Sequence, residues 1–335
     1  MAAVACFGEI LLRLGAPGRE LLLQSGRLEV HVGGAEANVA AGLARLGHDT
    51  RMISALPDNP LGDAALAALR GHGVECGSVQ RRPGRMGLYF LSPGAGLRAA
   101  DIIYDRTDSS FAMAPAAAFD WGALLQGVDR LHLSGITPAL GPASAAAAIA
   151  AAEAASAQGV AVSFDVNYRA RLWEGREGDA RGVLARLVGH ADILFGNHRD
   201  VALLLGRRFE GDGATRRREA AEAAFAHFPR LAHIASTARK VIDADCHRLS
   251  ARIDTRADEH QTAEIALPGI VDRIGAGDAF AAGVVHALAS GGDPAAMASS
   301  GLALACLKHS LPGDMSRFAA ADIDAFQRGM RDVRR

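Results

Sequence analysis

What most limits the fold of this chain is a rhythm. Short apolar runs, many of them β-branched, alternate with longer Ala- and Leu-rich stretches. Ala3–Phe7, Arg51–Ala55, Arg130–Leu133, Val160–Asp165, Asp192–Phe195 and Ala232–Ser236 read as strands. Glu36–Leu46, Gly62–Gly71, Ala143–Ala157 and Asp200–Leu205 read as helices. Alternation of this kind predicts an α/β fold, a mainly parallel sheet with helices on both faces. Ligands of such sheets bind outside the carboxyl ends of the strands, near a switch in strand order. Functional residues are therefore expected just after strands.

Two segments break the rhythm, Leu11–Val32 and Met86–Ala112. Both are richer in strand and turn signals than in helix signals, and Gly15, Pro17, Gly18, Pro93, Gly94 and Gly96 punctuate them. They read as strands that leave the main sheet to form a small lid. Residues 1–335 are expected to form one domain, with lid segments at about 11–32 and 86–112. Ala319–Arg335 reads as a terminal helix whose basic end suits the helix dipole.

Half of the residues are apolar and the net charge is −1, which excludes a disordered chain and a bulk nucleic-acid binder. Any anionic ligand must be held by local groups. The four cysteines form no C-x-x-C pair, so no zinc or redox motif is visible. No basic leader precedes Ile10, and no apolar stretch is long enough to span a bilayer. A cytoplasmic location without membrane partners is expected.

The run Asp272-Arg-Ile-Gly-Ala-Gly-Asp278 opens an Ala-rich helix that continues to about Ala289. Gly275 and Gly277 allow unusual backbone angles, so their amides and that of Ala276 can face one anion at the helix N-terminus. Asp278 beside that spot could accept the proton of an attacking hydroxyl. The same run also reads as a plain glycine turn with an acid in the first helical turn. A second motif, Val32-Gly-Gly-Ala-Glu-Ala-Asn38, places two glycines before a helix. Gly33 and Gly34 would let a ligand approach the backbone, and Asn38 offers donors and acceptors to hydroxyls. It too can be a simple turn.

Together the two motifs make the chain resemble the ribokinase-like, phosphofructokinase-B family of sugar kinases over nearly its whole length. Leu56-Pro-Asp-Asn-Pro-Leu-Gly-Asp63, Gly71-His-Gly-Val74 and the acid and amide of Asp165-Val-Asn-Tyr-Arg169 add to the likeness. The resemblance implies a doubly wound sheet with a β lid, dependence on ATP and Mg2+, Asp278 as base, Gly275–Gly277 as anion hole, and Gly33, Gly34 and Asn38 as sugar contacts. Gly84–Phe90, Ile103-Tyr-Asp-Arg106, Asn167-Tyr-Arg169 and Leu307–Asp314 are similar to the 2-keto-3-deoxygluconate kinase branch. That branch implies a sugar acid, and an arginine fork suits a carboxylate. Tyr89, Tyr104, Arg106 and Arg169 are then expected in the sugar pocket, although both tyrosines also suit a lid interface and both arginines a surface salt bridge.

The nucleotide side is expected to use Asn197, Ser236, Arg239 and His309 with Gly275 and Gly277, although Arg239 can equally be merely solvated. For His309, a basic helix end is the competing explanation. Where the family has N-x-x-E, this chain has Asn197-His-Arg-Asp200, so Asp200 is expected to order Mg2+ only through water. Arg273 stands where many relatives have Thr. No Walker A sequence and no G-x-G-x-x-G after the first strand occur, which disfavours a dinucleotide enzyme. A ketose kinase such as a fructokinase, or a non-catalytic binding protein on the same scaffold, are the rival readings. An exposed lid sheet also leads to an expected homodimer or larger assembly.

Overall fold

The computed structural model describes residues 1–330 and 332. Its strands are β1 (Ala3–Phe7), β2 (Leu11–Gly15), β3 (Glu29–Gly33), β4 (Asp49–Pro57), β5 (Val79–Arg82), β6 (Gly87–Ser92), β7 (Asp101–Asp105), β8 (Arg130–Ser134), β9 (Ala161–Asp165), β10 (Ile193–Phe195), β11 (His233–Asp243), β12 (Cys246–Thr255), β13 (Glu259–Gln261) and β14 (Ile265–Pro268). The helices are α1 (Ala35–Arg45), α2 (Pro60–Gly71), α3 (Trp121–Leu124), α4 (Ile136–Ala139), α5 (Pro142–Ala157), α6 (Glu177–Val188), α7 (His198–Leu205), α8 (Gly213–His227), α9 (Ala276–Ala289), α10 (Pro294–Lys308) and α11 (Ala320–Gln327).

The large sheet has the order β13-β12-β11-β10-β9-β8-β1-β4-β5, with β14 beside β12. From β5 to β11 every neighbouring pair is parallel, and β12 to β14 form an antiparallel edge. The strand order runs outward from β1 to β4 and β5, then restarts on the other side at β8. That reversal opens a crevice past the ends of β1 and β8. Strand β1 shows why the central runs are apolar throughout. Val4 and Cys6 enter the core under α1, α9 and α10, while Ala5 and Phe7 enter the opposite core with α5, α6 and α8.

A second, small sheet has the order β3-β2-β6-β7. Its side chains alternate between faces. His31, Arg13, Tyr89 and Tyr104 stand in one cross-strand row, which belongs to the face that meets the cleft. Val30, Leu14, Phe90 and Ile103 stand in a row on the other face.

Three expectations change. Residues 106–112 leave the small sheet for the body, because Phe111 packs against Phe7 in the core, ring centroids 5.3 Å apart. The strand expected to stop at Ser236 runs on to Asp243 and pairs with β12, since it forms one side of a long hairpin. The terminal helix ends at Gln327, with Arg328 as its cap, so it is shorter than the expected span to Arg335. Arg331, Arg334 and Arg335, the rest of its expected basic end, lie outside the described residues.

Candidate active site

Helices α1 and α9 start at the crevice and pack closely. A Cβ placed on Gly42 would meet the Ala282 Cβ at 2.9 Å. Close packing brings the two helix starts together, and Asn38 Nδ2 donates to Asp278 Oδ2 at 2.6 Å. Just before α9, Gly275 adopts φ 77° and caps the helix. A Cβ there would collide with the Asp314 carbonyl oxygen, so both conformation and space demand glycine. The first-turn amides of α9 have no partner within the helix and open on the cleft, where an anion is favoured. The Ala276 amide is turned partly inward, to the Arg273 carbonyl at 3.3 Å.

The cleft has a volume of about 1140 Å³. One wall is acidic. Burial pushes the Asp278 carboxyl up to about 7, with Asp314 and Glu36 adding to the shift and the Asn38 hydrogen bond opposing it. Asp165, at the end of β9, is pushed up to about 8 by burial and by Asp278. Three arginines, Arg169, Arg239 and Arg273, line the same cleft. Arg239 is held below its ordinary value by burial and by the charges of Arg273 and Arg169. Three guanidinium groups that repel one another beside an anion-favouring helix start make a natural seat for a polyphosphate. A base of near-neutral pKa beside such a seat can take a proton while charge moves onto phosphoryl oxygens.

Of the residues expected from sequence, Gly34, Asn38, Tyr89, Tyr104, Arg106, Arg169, Asn197, Asp200, Ser236, Arg239, Gly275, Ala276, Gly277, Asp278 and His309 all line this one cleft. Gly33 does not line it; it lies against the Asp314 side chain. Arg106 needs a correction. Its Nε donates to Glu9 Oε2 at 2.7 Å and its Nη2 lies 2.6 Å from the same oxygen, so the salt bridge weighed for it exists, but buried and at the cleft. Tyr89 donates its hydroxyl to Asp314 Oδ2 at 2.7 Å. Arg169 donates to its neighbour's carbonyl, Tyr168, at 3.2 Å, and its charge favours the ionised forms of Asp165, Asp200 and Asp278. Asn197 and Asp200 form the capping box of α7, with Asp200 Oδ2 accepting from the Asn197 amide at 2.7 Å. His309 Nδ1 lies 2.7 Å from the Ala305 carbonyl, a bond it can make only as donor.

Several residues were absent from the expected site. Asp165 carried a usable signal, because it ends a strand. Glu9 follows the first strand and could have been found the same way. Lys308 and Asp314 lay in the Leu307–Asp314 run whose likeness was noted without a role, and Arg13 carried no signal, because its partners Asp272 and Asp314 are far from it in sequence.

Residues 1–319 match the model of the pfkB family carbohydrate kinases. The 2-dehydro-3-deoxygalactonokinase of Haloferax volcanii is 30% identical over 334 residues, covering 98% of this chain and 97% of that protein. The crystal structure of 2-dehydro-3-deoxygluconokinase from Thermotoga maritima superposes with a TM-score of 0.94 at 36% identity, covering 98% of this chain and all of that one. An uncharacterized sugar kinase from Pyrococcus horikoshii in complex with ATP shares the fold, with a TM-score of 0.70 at 21% identity over 94% of this chain and 95% of that one.

Proposed function

Since the chain belongs to the pfkB family of carbohydrate kinases, we propose that it transfers the γ-phosphoryl group of ATP to the terminal hydroxyl of a 2-keto-3-deoxy sugar acid. The observation that carries this reading is the Asn38–Asp278 contact beside the Gly275 turn, in a cleft that Arg169, Arg239 and Arg273 also line. Asp278 takes the hydroxyl proton as the sugar oxygen bonds to phosphorus and the bond to ADP breaks. Asn38 holds Asp278 Oδ2 in place. The amides of the Gly275–Gly277 turn receive the charge that develops on the transferring oxygens. Arg169, Arg239 and Arg273 hold the triphosphate, with Asn197, Ser236 and His309 in the same cleft. The small sheet acts as a lid that excludes water.

Mg2+ belongs to the reading. Asp165 and Asp200 fit a hydrated cation, because both present oxygen donors to the cleft; burial raises both, with Asp278 and Asp200 adding to the shift of Asp165, while the Asn197 amide and Arg169 oppose that of Asp200. No group of three or more metal-binding side chains occurs among the described residues. When bound, Mg2+ supplies charge neutralisation between the phosphates. A cytoplasmic setting is also part of the proposal; among the described residues the four cysteines are free, and no helix is long and apolar enough to cross a membrane.

The sugar acid is supported by the two relatives named for deoxy sugar acids and by Arg169, whose fork is open to a carboxylate or a phosphate. One observation favours a second reading, a neutral ketose, because Glu9 already matches the charge of Arg106. A coupled assay with ATP, Mg2+, both C4 epimers of the acid and a set of neutral ketoses separates the two. Turnover of either acid epimer above the ketoses is expected. Turnover of ketoses alone would move the substrate, and silence throughout would sink the kinase reading. Arg106→Ala is expected to lower kcat/KM on the acid by about 10- to 100-fold, the scale of one lost charged hydrogen bond. The fall on a ketose should be smaller, and equal falls on both would remove Arg106 from acid recognition.

The assembly is proposed to be a dimer or larger, formed through the outer face of the small sheet. Val30 and Ile103 there are 58% and 53% exposed, beside Leu14 and Phe90. Sedimentation as a monomer at working concentration would end that proposal.

A further inference from the structure

One buried charge lies behind the anion turn and takes no part in the transfer scheme above. Lys308 ends α10 and is 0% exposed. Its ammonium donates to the Leu311 carbonyl at 3.1 Å and, at a longer 3.5 Å, to the Asp272 carbonyl. These carbonyls root the two loops that meet at the turn. Three residues beyond Asp272 comes Gly275, and three beyond Leu311 comes Asp314, whose carbonyl packs directly on Gly275.

Three charged side chains, Arg13, Asp272 and Asp314, surround Lys308, with Asp278 beyond them. Arg13 pairs with Asp272 at 2.7 Å and with Asp314 at 3.2 Å. Asp272 also accepts from the Gly313 amide at 3.0 Å and the Ile274 amide at 2.9 Å. Arg13 and Lys308 therefore face Asp272 and Asp314, two cations against two carboxylates. Burial works against the Lys308 ammonium, and Asp272, Asp314 and Asp278 favour it. An ammonium so enclosed, with only main-chain carbonyls as donors' targets, is costly unless its charge and its three protons have a use.

We propose that Lys308 is a positioning residue for phosphoryl transfer, a tethered cation that clips the Asp272 and Leu311 loops together and cancels the second carboxylate behind the anion turn. Without it the cluster would carry a net charge of −1, one cation against two carboxylates, just behind the amides that must receive phosphoryl charge. The Gly275 turn would lose both its brace and part of its positive potential. This inference rests on the kinase reading.

Two variants test it. Lys308→Met fills the space without charge, and Lys308→Ala leaves room for a small cation. In Lys308→Met, kcat is expected to fall at least tenfold with the sugar KM changed less than threefold. The acidic limb of its pH–rate profile should move upward, because Asp278 loses a favourable charge. In Lys308→Ala, ammonium chloride is expected to restore part of kcat saturably, and tetramethylammonium chloride is not. Ammonium should also raise the Tm of Lys308→Ala and leave that of the parent unchanged, a readout that needs no turnover. A parent protein silent on every sugar would defeat the kinase reading and leave this Tm comparison standing. Lys308→Met within twofold of the parent would overturn the proposal. So would activity lost in both variants with no response to ammonium and no shift in the pH limb, or failure of both to fold even in ammonium, since Lys308 would then only pack.

Discussion

Asp278→Asn is expected to lower kcat by about 10²- to 10⁴-fold, the range for loss of a general base. Shape and the Asn38 contact survive the change, since the amide oxygen can still accept the bond to Nδ2. The loss should therefore report chemistry, not folding. In the parent, kcat/KM should fall as pH drops below about 7, where Asp278 takes up a proton and ceases to be a base. Stability should move the opposite way. A carboxyl raised from 3.8 to about 7 binds its proton more tightly when folded, so its contribution is complete below pH 4 and lost as pH rises through 7. Asp278→Asn should thus melt higher than the parent at pH 8, with the difference closing by pH 4. Steady-state kinetics and thermal melts across that range check both signs. An Asn variant that retains parental turnover would end the assignment of Asp278 as base.

Gly275→Ala should come next in size. Alanine at φ 77° is strained by about 1–2 kcal/mol, and its methyl would press on the Asp314 carbonyl. The loop must shift, and with it the amides proposed to receive phosphoryl charge. Losing one such donor lowers kcat by about 10²- to 10³-fold. Gly277→Ala is the control, because no atom lies within 4 Å of the added carbon. Melting temperature separates the two, with Gly275→Ala lowered and Gly277→Ala close to the parent. If Gly275→Ala kept kcat within threefold, the turn would not be the seat of phosphoryl charge.

The order of strands and helices was legible because each element needs only local information. Val4, Ala5, Cys6 and Phe7 are apolar on both faces, which marks a central strand wherever its neighbours lie. The start of α2 was expected at Gly62 and lies at Pro60, where the Asn59 cap accepts from Leu61 and Gly62. The glycines at 34 and 275 and the acid at 278 were also readable, since backbone freedom and a helix start are properties of short runs. The extension of β11 to Asp243 was not, because its partner β12 pairs with it through the hairpin and supplies the hydrogen bonds that the strand's own exposed residues do not announce.

Arg106 shows where local reading stopped. Sequence placed a guanidinium near the end of a lid strand, but Glu9 comes to it from 97 residues away and takes two of its nitrogens. The Arg13, Asp272, Asp314 and Lys308 cluster is the same case on a larger scale. Chain order by itself therefore determined the layered fold, the glycine turn and the acid that stands beside it. Tertiary structure alone decided which charges meet. Patterning and turn chemistry act over a few residues, whereas an ion pair depends on distance in space, which the closing of the sheet sets between residues that the chain keeps far apart.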